Sequence, residues 1–303
     1  MPTMTGPRPG GVHRLGGHEV ARIGYGAMQL TPHGAPPISD ELGIEMLRRA
    51  TALGVDHIDT AQFYGAGRAN ALIRAALHPY PVELTLVTKV GARSEGGGLV
   101  AAQRPEELRA QVEENLRTLG ADHIAVVNLR RLDAPPGILA QGEQSVDLDA
   151  QLAELTELRD EGLIGAIGLS NVSVEQIERA LPIGITCVQN SYSLLDRAGE
   201  AALELCRGLG IAWVPFFPLG SAFAGLPKVT DDAVVQQVAG ELGATAGQVG
   251  LAWLLRRAPS VLLIPGTRDP DHLAENVAAG GLSLSDEMRA LLDEASRVHA
   301  EPD

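Results

Sequence analysis

From about residue 40 to residue 280, short apolar runs alternate with longer amphipathic ones, and this alternation limits the possible folds more than anything else in the chain. The short runs at 57–59, 84–89, 124–129, 166–170, 186–189, 211–215 and 261–265 are largely apolar along their length rather than at every second residue. Strands of that kind are covered on both faces, which means a parallel sheet clothed by helices. The segments between them, at 41–53, 68–77, 105–119, 148–161, 174–180, 200–209, 231–242, 246–257 and 270–279, carry helical periodicity. With 23–30 as the first strand there are eight in all. The reading is an α/β fold, a closed (β/α)8 barrel of the TIM type. A doubly wound open sheet is the alternative, and the lack of a glycine-rich dinucleotide fingerprint after an early strand counts against it.

The ends of the chain add detail. Gly16-Gly17 sits between two strand-like runs at 12–22, a two-residue hairpin signal. The hairpin is expected to plug the bottom of the barrel. Residues 1–11 lack the apolar core of a signal peptide and read as a flexible tail. Residues 12–303 are then one domain, ending in an extra C-terminal helix capped by Ser285, while Ser39 or Asp40 caps the first helix.

Composition narrows the function. Hydrophobic residues make up 45% of the 303, enough for one large core, and aromatics only 3%, so Ala, Leu, Val and Ile must pack it. A net charge of −14 repels phosphate backbones and anionic membranes, which argues against nucleic-acid partners. No apolar run approaches the roughly 20 residues of a membrane span. Cys187 and Cys206 show neither metal-ligand spacing nor a secreted framework, so both are expected to be reduced in a cytoplasmic protein without a structural metal. Nothing in the sequence fixes an oligomeric state.

Barrel enzymes carry their chemistry at the C-terminal ends of the strands. There the chain offers Asp59, then Tyr64 past a short turn, and Lys89 at the end of the next run. A tyrosine donates a proton near neutral pH only if its pKa, about 10, is lowered, and a nearby cation does this. Asp59 would hold that cation charged. Three long loops follow strands, after Lys89, Arg130 and Phe216, and fall on the same face.

The segments DTAQFYG (59–65), VTK (87–89), IGLSNVSVEQIE (167–178) and IPGTRDPDHLAEN (264–276) together resemble the aldo-keto reductase superfamily over nearly the whole chain. The resemblance implies NADPH-dependent reduction of an aldehyde or ketone, with Tyr64 as proton donor, Lys89 lowering its pKa and Asp59 orienting the lysine. The family's histidine is missing: VVNLRRLD puts Arg130 in its place. Arginine stays charged and presents a planar fork of donors. It could polarise the carbonyl, or bind a substrate phenolate, carboxylate or phosphate; the other reading is a structural pair with Asp133 or Asp59.

The resemblance also implies a cofactor site. Gly26, Ala27 and Met28, with Asp59, would border the nicotinamide; Ser170, Asn171 and Gln189 would bind its carboxamide; Phe216 would stack on it. Phe217, Pro218, Leu219, Gly220 and Ser221 would wrap the pyrophosphate. Gly266, Thr267 and the start of the following helix would form an anion site, with Arg268 on a 2′-phosphate, favouring NADPH over NADH. Glu275 and Asn276 match residues facing the adenine ribose and base, and His272 stands where an arginine or glutamine is usual. The NLR pattern is similar to that of pyridoxal reductase-like bacterial oxidoreductases, so pyridoxal is a candidate substrate. An NADPH-binding sensor or regulatory subunit, like the potassium-channel β subunits of the superfamily, is the second functional reading.

Overall fold

A computed structural model of the protein describes residues 6–31, 38–220 and 227–298. Strands β1 (Val12–Leu15) and β2 (His18–Ala21) form the expected hairpin, turning at Gly16-Gly17 with Leu15 opposite His18. Leu15 and Val20 pack against Val87, Val126, Ala212 and Leu262, and the Gly16 amide donates to Thr186 Oγ1 at 2.6 Å, so the hairpin covers the strand beginnings. Residues read as tail also touch the body: Arg8 pairs with buried Asp56 at 2.8 Å, and the Ile23 amide donates to Pro9 O at 3.2 Å.

The body then alternates as β3 (Tyr25–Gly26), α1 (Asp40–Ala52), β4 (His57–Asp59), α2 (Arg68–Leu77) and β5 (Thr85–Val90). A small hairpin, β6 (Ala92–Glu95) and β7 (Gly98–Ala101), precedes α3 (Pro105–Leu119), β8 (Ile124–Arg130), α4 (Leu148–Asp160) and β9 (Ile164–Ser170). Next come α5 (Val174–Ala180), β10 (Cys187–Gln189), α6 (Glu200–Leu209) and β11 (Ala212–Trp213). Helices α7 (Ala233–Leu242), α8 (Ala246–Arg257), α9 (Pro270–Ala278) and α10 (Asp286–Val298) follow. Ser39 Oγ caps α1 by accepting from the Leu42 amide, and Ser285 Oγ accepts from Met288 at the start of α10. Among the described residues no helix is long and apolar enough to cross a membrane.

Seven of these strands form one parallel sheet in the order β3-β4-β5-β8-β9-β10-β11. The run expected as a last strand makes only isolated parallel bridges, Val261 to Trp213 of β11 and Leu263 to Ile23 beside β3, and so touches both edges of the sheet. Arg22 reinforces that seam. Its guanidinium donates to the carbonyls of Val261 (3.1 Å), Leu255 (2.6 Å) and Ala258 (2.7 Å), tying the first strand to the last segment and to the end of α8.

Two local expectations change. The first strand is short, because the chain turns into a 3-10 helix at Ala27–Leu30. Gly26 and Gly266 allow this close packing: a Cβ on Gly26 would lie 2.5 Å from Ile264 O, and one on Gly266 2.5 Å from Gly26 O. The segment after Lys89, read as a long loop, holds the β6–β7 hairpin, turning at Gly96 and Gly97, both with positive φ.

Candidate active site

Strand register brings the predicted residues to one rim. Gly26 lies opposite Asp59, Lys89 opposite Asn128, and Ser170 pairs with both Arg130 and Gln189. Asp59 and Lys89, both buried, form a short ion pair through Oδ1 and Nζ. Gln189 Nε2 donates to the other Asp59 oxygen at 2.8 Å, and Lys89 also reaches Thr60 O at 3.4 Å. The ammonium lies 5.3 Å from the centre of the Tyr64 ring. Burial alone pulls the Lys89 pKa down, but the Asp59 carboxylate, helped by Tyr64, outweighs it and holds the ammonium above its ordinary range. The lysine is therefore a fixed cation beside a half-buried phenol.

Arg130 ends β8 and is half-buried. Burial lowers its pKa, and the nearby Tyr64 opposes that fall. Neither predicted pairing forms. Asp59 is taken by Lys89 and Gln189, while Asp133 accepts from Arg131 at 2.7 Å and from Gln176 at 2.7 Å. Among the described residues Arg130 has no carboxylate partner, only a 3.4 Å bond from Nη2 to Pro136 O.

What the residues could not announce is the support behind this rim. Beyond Val90 the chain leaves the sheet at Gly91, and the Gln103 amide fills the gap, donating to Gly91 O (2.6 Å) and Arg130 O (2.8 Å). Gln151 Nε2 holds Gln103 through Oε1 (3.0 Å) and the backbone carbonyl (2.6 Å), and Arg131 grips Gln151 in turn. Gln111 accepts from the Gly91 amide at 2.8 Å. Below Asp59 and Lys89, Thr60 Oγ1 donates to Asn70 (2.8 Å) and Thr88 Oγ1 to Asn115 (2.6 Å), and the two asparagines bond each other at 3.0 Å. Glutamine and asparagine have no periodic signature, so only the fold reveals this network.

The proposed cofactor residues fall into two groups. On the nicotinamide side, Ser170 and Gln189 are buried, and Gln189 Oε1 has no hydrogen-bond partner although it is enclosed. A buried acceptor of that kind fits a carboxamide N–H. Asn171, in the left-handed region at φ 59, spends its amide on Arg131 O and Ala134 O. Phe216 is half-buried, edge-on to Phe217 at 5.1 Å, and Leu219 packs against the core, leaving backbone as the polar part of the described loop residues 217–220. Ser221 lies outside the described residues. On the phosphate side, Arg268 and His272 are exposed, Glu275 and Asn276 half-buried, and Thr267 O accepts from Tyr25. The start of α9 departs from expectation: its Asp271 and His272 amides, at 2.8 and 3.3 Å, are already taken by Asp269 Oδ1. Those donors hold the Asp269 carboxyl below its usual range.

A tyrosine, a lysine held charged by a buried aspartate and an enclosed amide acceptor thus stand together at the C-terminal ends of a curled parallel sheet. The chain belongs to the Aldo/keto reductase family, whose profile matches residues 22–297. It is 47% identical over 287 residues to the Escherichia coli protein named pyridoxine 4-dehydrogenase, covering 93% of this chain and 97% of that one. Among solved structures it is similar to the thermostable aldo-keto reductase Tm1743 in complex with the inhibitor epalrestat, at 30% identity and a TM-score of 0.79 over 94% of this chain and 99% of that one. An aldo/keto reductase from Klebsiella pneumoniae, solved with NADP and acetate, matches at 25% identity and a TM-score of 0.77 over 96% of each chain.

Proposed function

We propose that this protein uses NADPH to reduce an aldehyde or ketone to an alcohol, with pyridoxal, reduced to pyridoxine, as the leading substrate. The observation that carries this reading is the buried Asp59–Lys89 pair beside Tyr64. The name of the E. coli relative supports the substrate, and the Klebsiella structure with NADP supports the cofactor. A bound reduced nicotinamide supplies a hydride to the carbonyl carbon. The Tyr64 hydroxyl gives its proton to the carbonyl oxygen, and Lys89 stabilises the phenolate left behind. Asp59 keeps the lysine charged and in place; Gln189 holds Asp59 and turns Oε1 toward the carboxamide. Arg130 is the second donor to the developing oxyanion.

The architecture we infer is a closed (β/α)8 barrel, the segment at 261–263 serving as its eighth strand, with residues 12–303 as one domain. Phe216 would stack on the nicotinamide, the backbone of residues 217–220 would hold the pyrophosphate, and Arg268 would meet the 2′-phosphate. We place the protein in the cytoplasm, acting on small molecules and not on nucleic acid or membranes.

Tyr64→Phe tests the assignment. Loss of a positioned proton donor should lower kcat with NADPH and pyridoxal by about a hundredfold or more while NADPH binding holds. Equal rates in the two proteins would remove Tyr64 from this role. Tight NADPH binding without turnover of any aldehyde would establish the second reading instead, an NADPH-binding regulator.

A further inference from the structure

We propose that Arg130 selects carbonyl substrates bearing an oxyanion on the atom next to the one that carries the carbonyl group, as in 2-hydroxybenzaldehyde. The proposal rests on the carbonyl-reducing reading above and specifies its substrate class; the ring hydroxyl of pyridoxal, adjacent to its aldehyde, meets the requirement.

Charge at the rim supplies the first argument. Asp59 balances Lys89, and Asp133 balances Arg131 just past the end of β8. Among the described residues Arg130 is left without a carboxylate partner, its polar contact a long bond to Pro136 O. Removing a charge from water without a counter-charge is costly, and a ligand anion at that point offsets the cost.

Shape supplies the second. A guanidinium presents two parallel N–H groups and meets paired acceptors with both at once. A carbonyl oxygen and an adjacent ring oxyanion are such a pair, on one edge of the molecule. A histidine, with one N–H at that position, serves the carbonyl oxygen alone. Arg130 ends the strand beside the one that carries Lys89, whose ammonium lies 5.3 Å from the Tyr64 ring, so a carbonyl held at this rim would receive the tyrosine proton and meet the fork.

Placement supplies the third. An arginine side chain is long, but this one starts from a fixed point, its carbonyl held by Gln103 and its strand paired at Ser170. At the far end Gly137 leaves it room, since a Cβ there would lie 3.2 Å from Nη2.

The test compares 2-hydroxybenzaldehyde with 4-hydroxybenzaldehyde, at a pH where both phenols are ionised, in the parent, Arg130→Lys and Arg130→Gln. The isomer ratio within each protein cancels any general loss of activity. The expected ratio of kcat/KM favours the 2-hydroxy isomer in the parent by about tenfold more than in either variant, the loss of one charge-assisted bond of a pair. Calorimetry gives a readout without turnover: 2-hydroxyacetophenone should bind the NADP+-loaded parent more tightly than 4-hydroxyacetophenone, and Arg130→Lys should abolish the difference. An isomer preference that is equal in parent and variants, by both readouts, overturns the proposal. Failure of the parent to reduce any aldehyde overturns the reading of the reaction instead, and the calorimetric comparison then decides for Arg130 by itself.

Discussion

At the start of α9 the Asp269 carboxylate occupies the Asp271 and His272 amides, so a phosphate arriving beside Arg268 meets engaged donors and a negative charge. Asp269→Asn keeps a good N-cap and removes the charge. It should tighten NADPH binding by about fivefold and leave NADH binding unchanged, because only the former brings a 2′-phosphate. Fluorescence titration with both nucleotides checks this, and parallel changes for the two would detach the site from the 2′-phosphate. The motif itself was legible: an aspartate before Pro270 reads as an N-cap with proline at the first helical position. The resemblance drew attention to the arginine and away from its neighbour. Asp59 and Lys89 were legible because each stands where a largely apolar run stops, and Tyr64 because it follows Asp59 past a short turn on the same rim.

Past the end of the β5–β8 ladder, which stops at Val90 and Leu129, the two strands are joined by a glutamine side chain rather than by direct pairing. Gly91 leaves with φ 113, and the Gln103 amide takes over where direct pairing ends. Gln103→Met preserves the volume but removes the side-chain donor to Arg130 O and leaves Gly91 O with the Ala102 amide alone, at 3.2 Å. The expected loss is about 2 kcal/mol in denaturant unfolding, together with a lower kcat and unchanged NADPH affinity, since the clamp holds Arg130 and touches no proposed nucleotide contact. A stability loss with kcat intact would make the clamp structural only. Reading at this scale was uneven. Gly16-Gly17 announced a hairpin, whereas Gly96-Gly97 carries the same signal but sits among charged and small residues that looked like loop. Strand 261–265 was legible from its apolar run, but its backbone pairs so sparsely that only two bridges remain.

Across the whole molecule, Glu200 joins parts distant in sequence. It accepts from Tyr192 (2.6 Å) and Arg197 (2.8 Å) and pairs with Arg257 of α8, while Arg197 reaches Ser296 of α10 at 2.9 Å. Partial burial pushes the Glu200 pKa up, but these partners outweigh it and hold the carboxyl below its ordinary range. A depressed carboxyl contributes stability above its unfolded pKa and loses it as the pH falls through the folded one. Glu200→Gln should therefore cost about 1 kcal/mol near pH 7, allowing for partial exposure. The variant and parent stabilities should converge as the pH drops below the carboxylate range; a constant gap in urea melts across pH would remove the ionic contribution. The overall plan was the most legible layer, because each strand's burial on both faces is written into its own residues. Long-range joints of this kind are not, since nothing local ties residue 200 to 257.

The seam at Arg22 sets an order on the making of the protein. A ribosome delivers the first edge of the sheet early and the segment that reaches both edges only after residue 260, when most of the chain is already outside. Until then two strand edges stand bare, open to wrong partners as well as to the right one. The final seventh of the polypeptide therefore acts as a latch on everything synthesised before it, and a chain cut short ahead of Val261 would emerge with neither bridge to the sheet's two edges.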